Sequence, residues 1–311
     1  MQGLIGSGFG LYGHLPAIAE YSSEPICIAE TYRHFFESRT ELHSFSKRLV
    51  WSQNEEEVLR NAHNISISVW PLRQEELIEE VLASDRVKLL FLEKPLASSP
   101  LKSRQLLKAL IKSGITFRIN YSLIYTEWYA ELVKYVKQQE TIELQLVWDF
   151  RAYHYKNEKQ TWKRIKSMGG SVVRFYGIHV IAMLVSLNFN IVINSQTQGF
   201  SMEDVFKWKA RIKYQTSSAA IEINSNSQKE NFNISVLGRS STGEFSTYVL
   251  ELKDPFSYIN RNDNLDPRIE VLKAMYFSSD SVQNKDLYPF YSRTNALWDS
   301  IESINQNIII T

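Results

Sequence analysis

The feature that most constrains this chain is a cluster of glycines at its start. Gly3-Leu4-Ile5 is a short apolar run, and it leads directly into Gly6-Ser7-Gly8-Phe9-Gly10-Leu11-Tyr12-Gly13. His14-Leu15-Pro16-Ala17-Ile18 then opens a helical pattern. A strand that turns within a few residues into a helix needs glycine, because only glycine takes the tight turn without a Cβ clash. The same geometry lets a backbone approach a pyrophosphate, with the helix N-terminus supplying amide donors and partial positive charge. The match to G-x-G-x-x-G is partial: Gly6 and Gly8 fit, Leu11 takes the third position, and Gly10 and Gly13 flank it. Its place between a strand and a helix is what favours dinucleotide binding over an ordinary turn.

Hydrophobic periodicity divides the remainder. Pro25–Ala29, Ile65–Val69, Lys88–Leu92 and Thr116–Asn120 read as strands, separated by helical patterns. Leu77, Ile78, Val81 and Leu82 share one helical face; Leu106, Leu107, Leu110 and Ile111 share another, between Pro100 and Gly114. Such alternation predicts parallel strands with helical crossovers. After a helix over about 126–137 the period changes to two. Ile142, Leu144, Leu146, Trp148 and Phe150 alternate with more polar neighbours, and Trp208, Ala210, Ile212 and Tyr214 alternate with Lys207, Lys209, Arg211 and Lys213. Further runs at 219–224, 232–237 and 245–250 predict a mostly antiparallel sheet. A polar loop is expected at 260–266, followed by two C-terminal helices. The expected domains are 1–121 and 122–311, in line with about 150 residues per domain for a chain of 311.

Composition excludes several classes. With 35 Lys+Arg against 34 Asp+Glu the chain lacks the cationic surplus of a general nucleic-acid binder. The basic row at 207–213 therefore reads as a solvent or subunit face. The single cysteine, Cys27, excludes an intrachain disulfide and a multi-cysteine metal cluster, and no metal site is expected. No export signal opens the chain, so the cytoplasm is the expected location. From Phe175 to Met202 there is no formal charge, but Gly177, His179, Ser186, Asn188, Asn190 and Asn194 interrupt the run. A membrane helix wants about 20 continuous apolar residues. The reading is a buried helix, a turn near Asn188 and a buried strand, with no membrane partner.

Three positions carry chemistry in the first half. Glu30 ends the second strand, where a carboxylate meets the ribose hydroxyls of NAD. Arg33, one helical step later, suits the 2′-phosphate of NADP, so both cofactors stay open. Lys94, in Phe91-Leu92-Glu93-Lys94-Pro95, follows a strand's C-terminal end, where α/β sheets bind ligands. There an ammonium polarises a substrate hydroxyl or carbonyl beside a nicotinamide.

The glycine turn, Glu93-Lys94-Pro95, the wording Gly8-Phe9 then His14-Leu15-Pro16-Ala17, Val69-Trp70-Pro71 and the antiparallel second half together resemble the glucose–fructose oxidoreductase / inositol dehydrogenase (Gfo/Idh/MocA) family. The resemblance covers essentially the whole chain. It implies an N-terminal Rossmann dinucleotide-binding domain and a C-terminal α+β domain with a large, mostly antiparallel sheet. It implies an NAD(P)-dependent oxidoreductase acting on a sugar, polyol or sugar nucleotide, forming homodimers or homotetramers through that sheet. The implied cofactor contacts are Gly6, Gly8, Phe9, Gly10, Leu11, Glu30, Arg33, Trp70, Pro71, Glu93 and Lys94. The family's motif Gly-Gly followed by Asp-x-Gly-x-His aligns with Gly169-Gly170 and Phe175-Tyr176-Gly177-Ile178-His179, so Phe175 stands where the aspartate belongs. Phenylalanine can neither accept a proton nor orient an imidazole. Three readings follow: Lys94 and His179 suffice, Tyr176 takes over as donor, or the protein binds the dinucleotide as a non-catalytic regulator or scaffold. Trp162-Lys163-Arg164 lies where the family places substrate contacts, and reads equally as a phosphate- or carboxylate-holding cluster or a solvated loop; Phe175 joins it as a substrate contact. The family's arginine after Asn120-Tyr121 is replaced by Ser122-Leu123, and its histidine after Pro71 is missing, with Gln74-Glu75 in that region.

Overall fold

The computed structural model describes residues 1–256 and 265–310. The first elements are β1 (Gln2–Ile5), α1 (Leu15–Tyr21), β2 (Ile26–Ala29), α2 (Arg33–Glu37), β3 (Leu49–Ser52), α3 (Glu55–Asn61), β4 (Asn64–Ile67) and α4 (Pro71–Leu82). They continue with β5 (Leu89–Leu92), α5 (Pro100–Ser113), β6 (Thr116–Ile119) and α6 (Glu127–Val136). Then come β7 (Thr141–Arg151), α7 (Tyr153–Lys156), α8 (Ile178–Ser186), β8 (Ile191–Gly199), β9 (Val205–Tyr214), β10 (Ser217–Asn224), β11 (Asn226–Arg239) and β12 (Phe245–Leu252). Helices α9 (Arg268–Ser281) and α10 (Asn284–Ser303) and strand β13 (Asn305–Ile309) close the chain. The polar loop expected at 260–266 lies mostly outside the described residues.

The chain forms two compact units. The first takes residues 1–97, 102–125 and the described part of 259–288. Its sheet has six parallel strands in the order β3-β2-β1-β4-β5-β6. Strands β1, β2 and β5 are buried at every position, as strands covered on both faces require. Strand order reverses between β1 and β4, so the loops after these two strands flank the crevice where open α/β sheets hold ligands. Helix α9 belongs to this unit although it follows the whole second sheet in sequence. Its residues Val271, Leu272, Met275 and Tyr276 are buried, and the Tyr276 ring lies 3.9 Å from that of Phe91 on β5. The residues after 121 therefore do not form one contiguous domain.

The second unit takes residues 98–101 and the described parts of 126–258 and 289–311. Its seven-stranded sheet has the order β12-β11-β7-β10-β9-β8-β13. Pairs β7/β10 and β8/β13 are parallel and the rest antiparallel. The period-two pattern is realised except at the strand ends: Ile142, Leu144, Leu146 and Trp148 are buried, as are Trp208, Ala210 and Ile212, whereas Phe150 and Tyr214 are half-buried. On the opposite face Lys207 and Lys209 both pair with Glu222 of β10, at 2.7 and 3.0 Å.

Lys166–Ser186 is the one segment among the described residues long and apolar enough to cross a membrane by length and composition. Most of it is buried within the protein, and α8 is buried from Ile178 to Val185. Asn188 makes the expected turn with φ of 72°. The strand after it is not buried throughout: Ile191 and Ile193 are exposed, and burial begins at Ser195. The reason is pairing, since β13 covers β8 only from Ser195 to Gly199.

Candidate functional site

In the first unit the glycine turn leaves β1 at Gly6, whose φ of +134° only glycine adopts without strain. A Cβ there would also collide with the Ser68 carbonyl after β4. At Gly8 a Cβ would meet nothing within 4 Å. The turn is thus closed on one side and open on the other, the cradle a diphosphate needs. Leu11 is fully buried, so the position expected to carry the third glycine holds a core side chain, and only its backbone can face a ligand. Close approach passes instead to Gly13, where a Cβ would strike the Phe9 ring. Residues Gly10–His14 form a wide helical turn before α1. The Phe9 ring is bracketed by the Arg268 guanidinium at 4.4 Å and the His14 ring at 5.4 Å.

At the end of β2, Glu30 and Arg33 are both exposed and bind each other, Arg33 Nε donating to Oε1 at 2.5 Å and Nη2 to Oε2 at 2.9 Å. The Arg33 hydrogen bond holds the Glu30 carboxyl below its usual range. Arg33 lies 4.1 Å above the Trp51 ring. The two residues read as rivals for a ribose or a 2′-phosphate are thus one ion pair on an aromatic support. Trp70 precedes α4 and Pro71 is its buried first residue.

The Lys94 turn follows β5, and the Lys94–Pro95 peptide is cis. Gln74, fully buried on α4, grips its backbone: Nε2 donates to the carbonyls of Glu93 (2.8 Å), Pro95 (3.2 Å) and Leu96 (3.1 Å), and Oε1 accepts from the Glu93 amide at 2.9 Å. The Glu93 carboxylate points into the protein, where it meets His14 Nε2 at 2.9 Å and accepts from Asn120 Nδ2 at 2.7 Å. Burial alone would raise this carboxyl, but the His14 hydrogen bond and charge, with Lys94 and Asn120, outweigh it and hold it lowered. Ser122 Oγ donates to Asn120 Oδ1 at 2.8 Å. Of these partners, Gln74, Asn120 and Ser122 fall where the sequence departs from the family or marks a strand end. Tyr276, behind His14, carries no sequence signal at all.

In the second unit Gly169 is left-handed (φ 84°), and a Cβ on Gly170 would collide with the Trp162 carbonyl. The paired glycines thus let the 162–164 turn sit directly on the segment leading to α8. That contact assembles an aromatic group. Phe175 meets Trp162 edge-on at 5.3 Å and Tyr176 at 4.7 Å, with the Lys163 ammonium 5.1 Å from its ring centre. Tyr176 continues to Phe150 at 4.7 Å and His154 at 6.5 Å. Arg164 is held by Asp204, which also accepts from Tyr155 at 2.7 Å. His179 is buried in the first turn of α8. His154, which sequence reasoning missed, is buried; desolvation, then the Lys163 and Arg164 charges, push it down to about 4, so it is neutral at pH 7. Among the described residues no group of three or more His, Cys, Asp or Glu is arranged to hold a metal.

The residues read from sequence thus fall into two sets. Gly6, Gly8, Phe9, Gly10, Leu11, Glu30, Arg33, Trp70, Pro71, Glu93 and Lys94 belong to the first unit, and Trp162, Lys163, Arg164, Phe175, Tyr176 and His179 to the second. No family model and no curated protein matches the sequence. Solved structures do match the fold. KijD10, a 3-ketoreductase from Actinomadura kijaniata in complex with NADP and TDP-benzene, is 11% identical with a TM-score of 0.74, over 100% of this chain and 99% of that one. An NAD binding oxidoreductase from Klebsiella pneumoniae is 13% identical with a TM-score of 0.72, over 97% and 96%. GenD2 from gentamicin A biosynthesis, in complex with NAD, is 13% identical with a TM-score of 0.68, over 97% and 93%. The chain therefore has, along essentially its full length, the two-domain fold of KijD10, GenD2 and the Klebsiella oxidoreductase, as its sequence resemblance to the glucose–fructose oxidoreductase / inositol dehydrogenase family implied.

Proposed function

We propose that the protein is an NAD(P)-dependent oxidoreductase that moves a hydride between nicotinamide and a carbinol or carbonyl carbon of a sugar, polyol or sugar nucleotide. The observation that carries this reading is the Lys94 turn. A lysine follows the strand beside the switch point, in the same unit as a turn open at Gly8. Its backbone is gripped by Gln74 and its neighbour's carboxylate is anchored inside the protein. So firmly held a backbone beneath one lysine suits a group that must meet a reacting oxygen in a set place. The dinucleotide, when bound, supplies the hydride acceptor or donor. Gly6 and Gly8 hold its diphosphate, and Glu30 or Arg33 its ribose. Lys94 holds or takes the substrate hydroxyl proton. His179 and Tyr176 are the assisting candidates of the second unit, with Trp162, Lys163 and Phe175 as substrate contacts. Arg164, bound to Asp204, serves by shaping the loop rather than by holding an anion. The protein acts in the cytoplasm as a homodimer or homotetramer, through the exposed sheet face that carries Gln145, Lys209, Arg211 and Glu222.

Phe175 favours a second reading, a dinucleotide-binding regulator or scaffold, because that side chain is spent on ring contacts where the family has a carboxylate. One experiment separates the two. Purified protein is titrated with NADH and NADPH by fluorescence, then assayed over a panel of sugars, polyols and sugar nucleotides beside Lys94→Ala. Saturable cofactor binding with turnover that falls at least about a hundredfold in Lys94→Ala supports the enzyme. Binding without turnover on any substrate supports the regulator, and no binding of either cofactor ends both.

A further inference from the structure

We infer that the chain selects NAD(H) over NADP(H), with Glu30 accepting the two hydroxyls of the adenosine ribose and Arg33 as the positioning residue that presents Glu30 to them. The inference rests on the dinucleotide reading given above and deepens it.

The place of Glu30 follows from the sheet. Strands β1 and β2 run parallel, with Gly3 beside Cys27 and Leu4 beside Ile28. Carried two residues further, that register brings Glu30 level with Gly6, one strand across from the turn that is open at Gly8. Residues Glu30–Tyr32 form one tight helical turn. Tyr32, buried in that turn, anchors it by donating its hydroxyl to Glu55 of α3, which also accepts from Arg73 of α4 at 2.9 Å. The backbone beneath Glu30 is thus fixed. Its side chain is nevertheless 48% exposed and that of Arg33 41% exposed, so a ligand reaches both.

Counting donors and charges decides which ligand fits. Arg33 donates from Nε to Oε1 of Glu30 and from Nη2 to Oε2. Its Nη1 lies 4.0 Å from Glu37 Oε1, and the guanidinium lies 4.1 Å from the centre of the Trp51 ring on β3. Exposed ion pairs are weak as a class, but a two-pronged fork seated on a ring is the exception. Arg39 is committed in the same way: it donates to Glu41 at 3.0 Å and lies 4.6 Å from the centre of the Tyr12 ring. These are the two arginines of the segment 30–41, and three glutamates, Glu30, Glu37 and Glu41, stand against them. The segment therefore carries one negative charge in excess. A 2′-phosphate adds about −1.5 to −2 charges more. It would have to strip the fork from Glu30 and lie beside the carboxylate so released. A plain ribose meets no such conflict. A carboxylate offers about four lone-pair sites, two on each oxygen. Arg33 takes one on each oxygen and leaves one on each, which matches two vicinal hydroxyls that donate. The Arg33 hydrogen bond also holds the Glu30 carboxyl below its usual range, so at neutral pH it only accepts.

The test is equilibrium binding, with NADH and NADPH as the probes. Full-length protein is titrated with each at about 0.15 M salt, and nicotinamide fluorescence reports both through the same chromophore. NADH is expected to bind at least about tenfold more tightly than NADPH; a smaller preference, or the reverse one, overturns the inference. Glu30→Gln keeps the shape and removes the charge. It should shrink the preference at least about threefold by tightening NADPH, and an unchanged ratio overturns the role of Glu30. Arg33→Ala should weaken NADH at least about threefold in the parent and by less when Glu30 is already alanine, because Arg33 acts through Glu30. No loss in the single variant, or an equal loss in both backgrounds, overturns the positioning role. No binding of either cofactor ends the oxidoreductase reading and this inference with it, whereas binding of both alike ends this inference alone.

Discussion

Two glycines of the opening turn do different work, and substitution separates them. Gly6 combines a φ of +134° with a backbone carbonyl where its Cβ would go, whereas Gly8 faces open space. Gly6→Ala is therefore expected to cost more than about 2 kcal/mol of stability in urea unfolding. Gly8→Ala should stay within about 0.5 kcal/mol of the parent yet weaken NAD(P)H binding about tenfold or more. Equal stability losses at both positions would mean that the turn is purely architectural. Both glycines were legible in the sequence because each stands in a local pattern whose cause is local. Gln74, Tyr276 and Asp204 were not. Gln74 sits on a helix face like any other polar residue, and only the fold brings it against the Lys94 turn. Tyr276 lies 183 positions beyond Glu93 by number, and nothing near it in sequence marks the contact. Asp204 likewise becomes the partner of Arg164 and Tyr155 only once the second sheet forms.

At the scale of elements, periodicity carried most of the fold. The alternating rows of β7 and β9 and the faces of α4 and α5 translate into burial except at their ends, where Phe150, Tyr214, Leu82 and Ile111 are half-buried. Strands β3 and β13 have no such signature. Leu49–Ser52 is half exposed at a sheet edge, and Asn305–Ile309 is polar where it pairs through Asn305 and Asn307. Edge strands are stabilised by their partners' hydrogen bonds more than by their own apolar face, so pattern alone does not reveal them. Helix α9 shows the same dependence on remote partners at its C-terminal end. Arg118 of β6, fully buried, donates to the carbonyls of Phe117 at 2.7 Å and Ser278 at 3.2 Å, and also to that of Val282. A cation there complements the helix's negative end, adding a second donor to the Ser278 carbonyl, which also accepts from the Val282 amide at 3.1 Å, and a donor to the Val282 carbonyl just past the helix. Arg118→Met should therefore cost about 2–4 kcal/mol in urea unfolding, with Arg118→Lys recovering part of the loss. A loss below about 1 kcal/mol in the methionine variant would show that water replaces the guanidinium at little cost.

For the whole molecule the consequential fact is that the first unit is assembled from segments far apart in the chain. Residues 1–125 contain all six parallel strands and every candidate dinucleotide contact, which makes them look self-sufficient. The structure argues otherwise, because α9 brings Ile269, Val271, Leu272, Met275 and Tyr276 into that unit's interior. At about 1.5–3 kcal/mol for each large apolar side chain fully buried, their loss rivals the ~5–15 kcal/mol that holds a domain folded. It would also strand His14 Nδ1 and the Arg118 guanidinium among buried groups. A fragment of residues 1–125 is thus expected to melt without a cooperative transition and to bind a hydrophobic dye. Adding residues 265–288 through a flexible Gly-Ser linker should restore a cooperative melt and, with it, NAD(P)H binding. Circular dichroism melts of the two fragments decide the matter. A fragment 1–125 that unfolds as sharply, and at the same temperature, as the linked form would show that the returning helix only decorates a unit already complete.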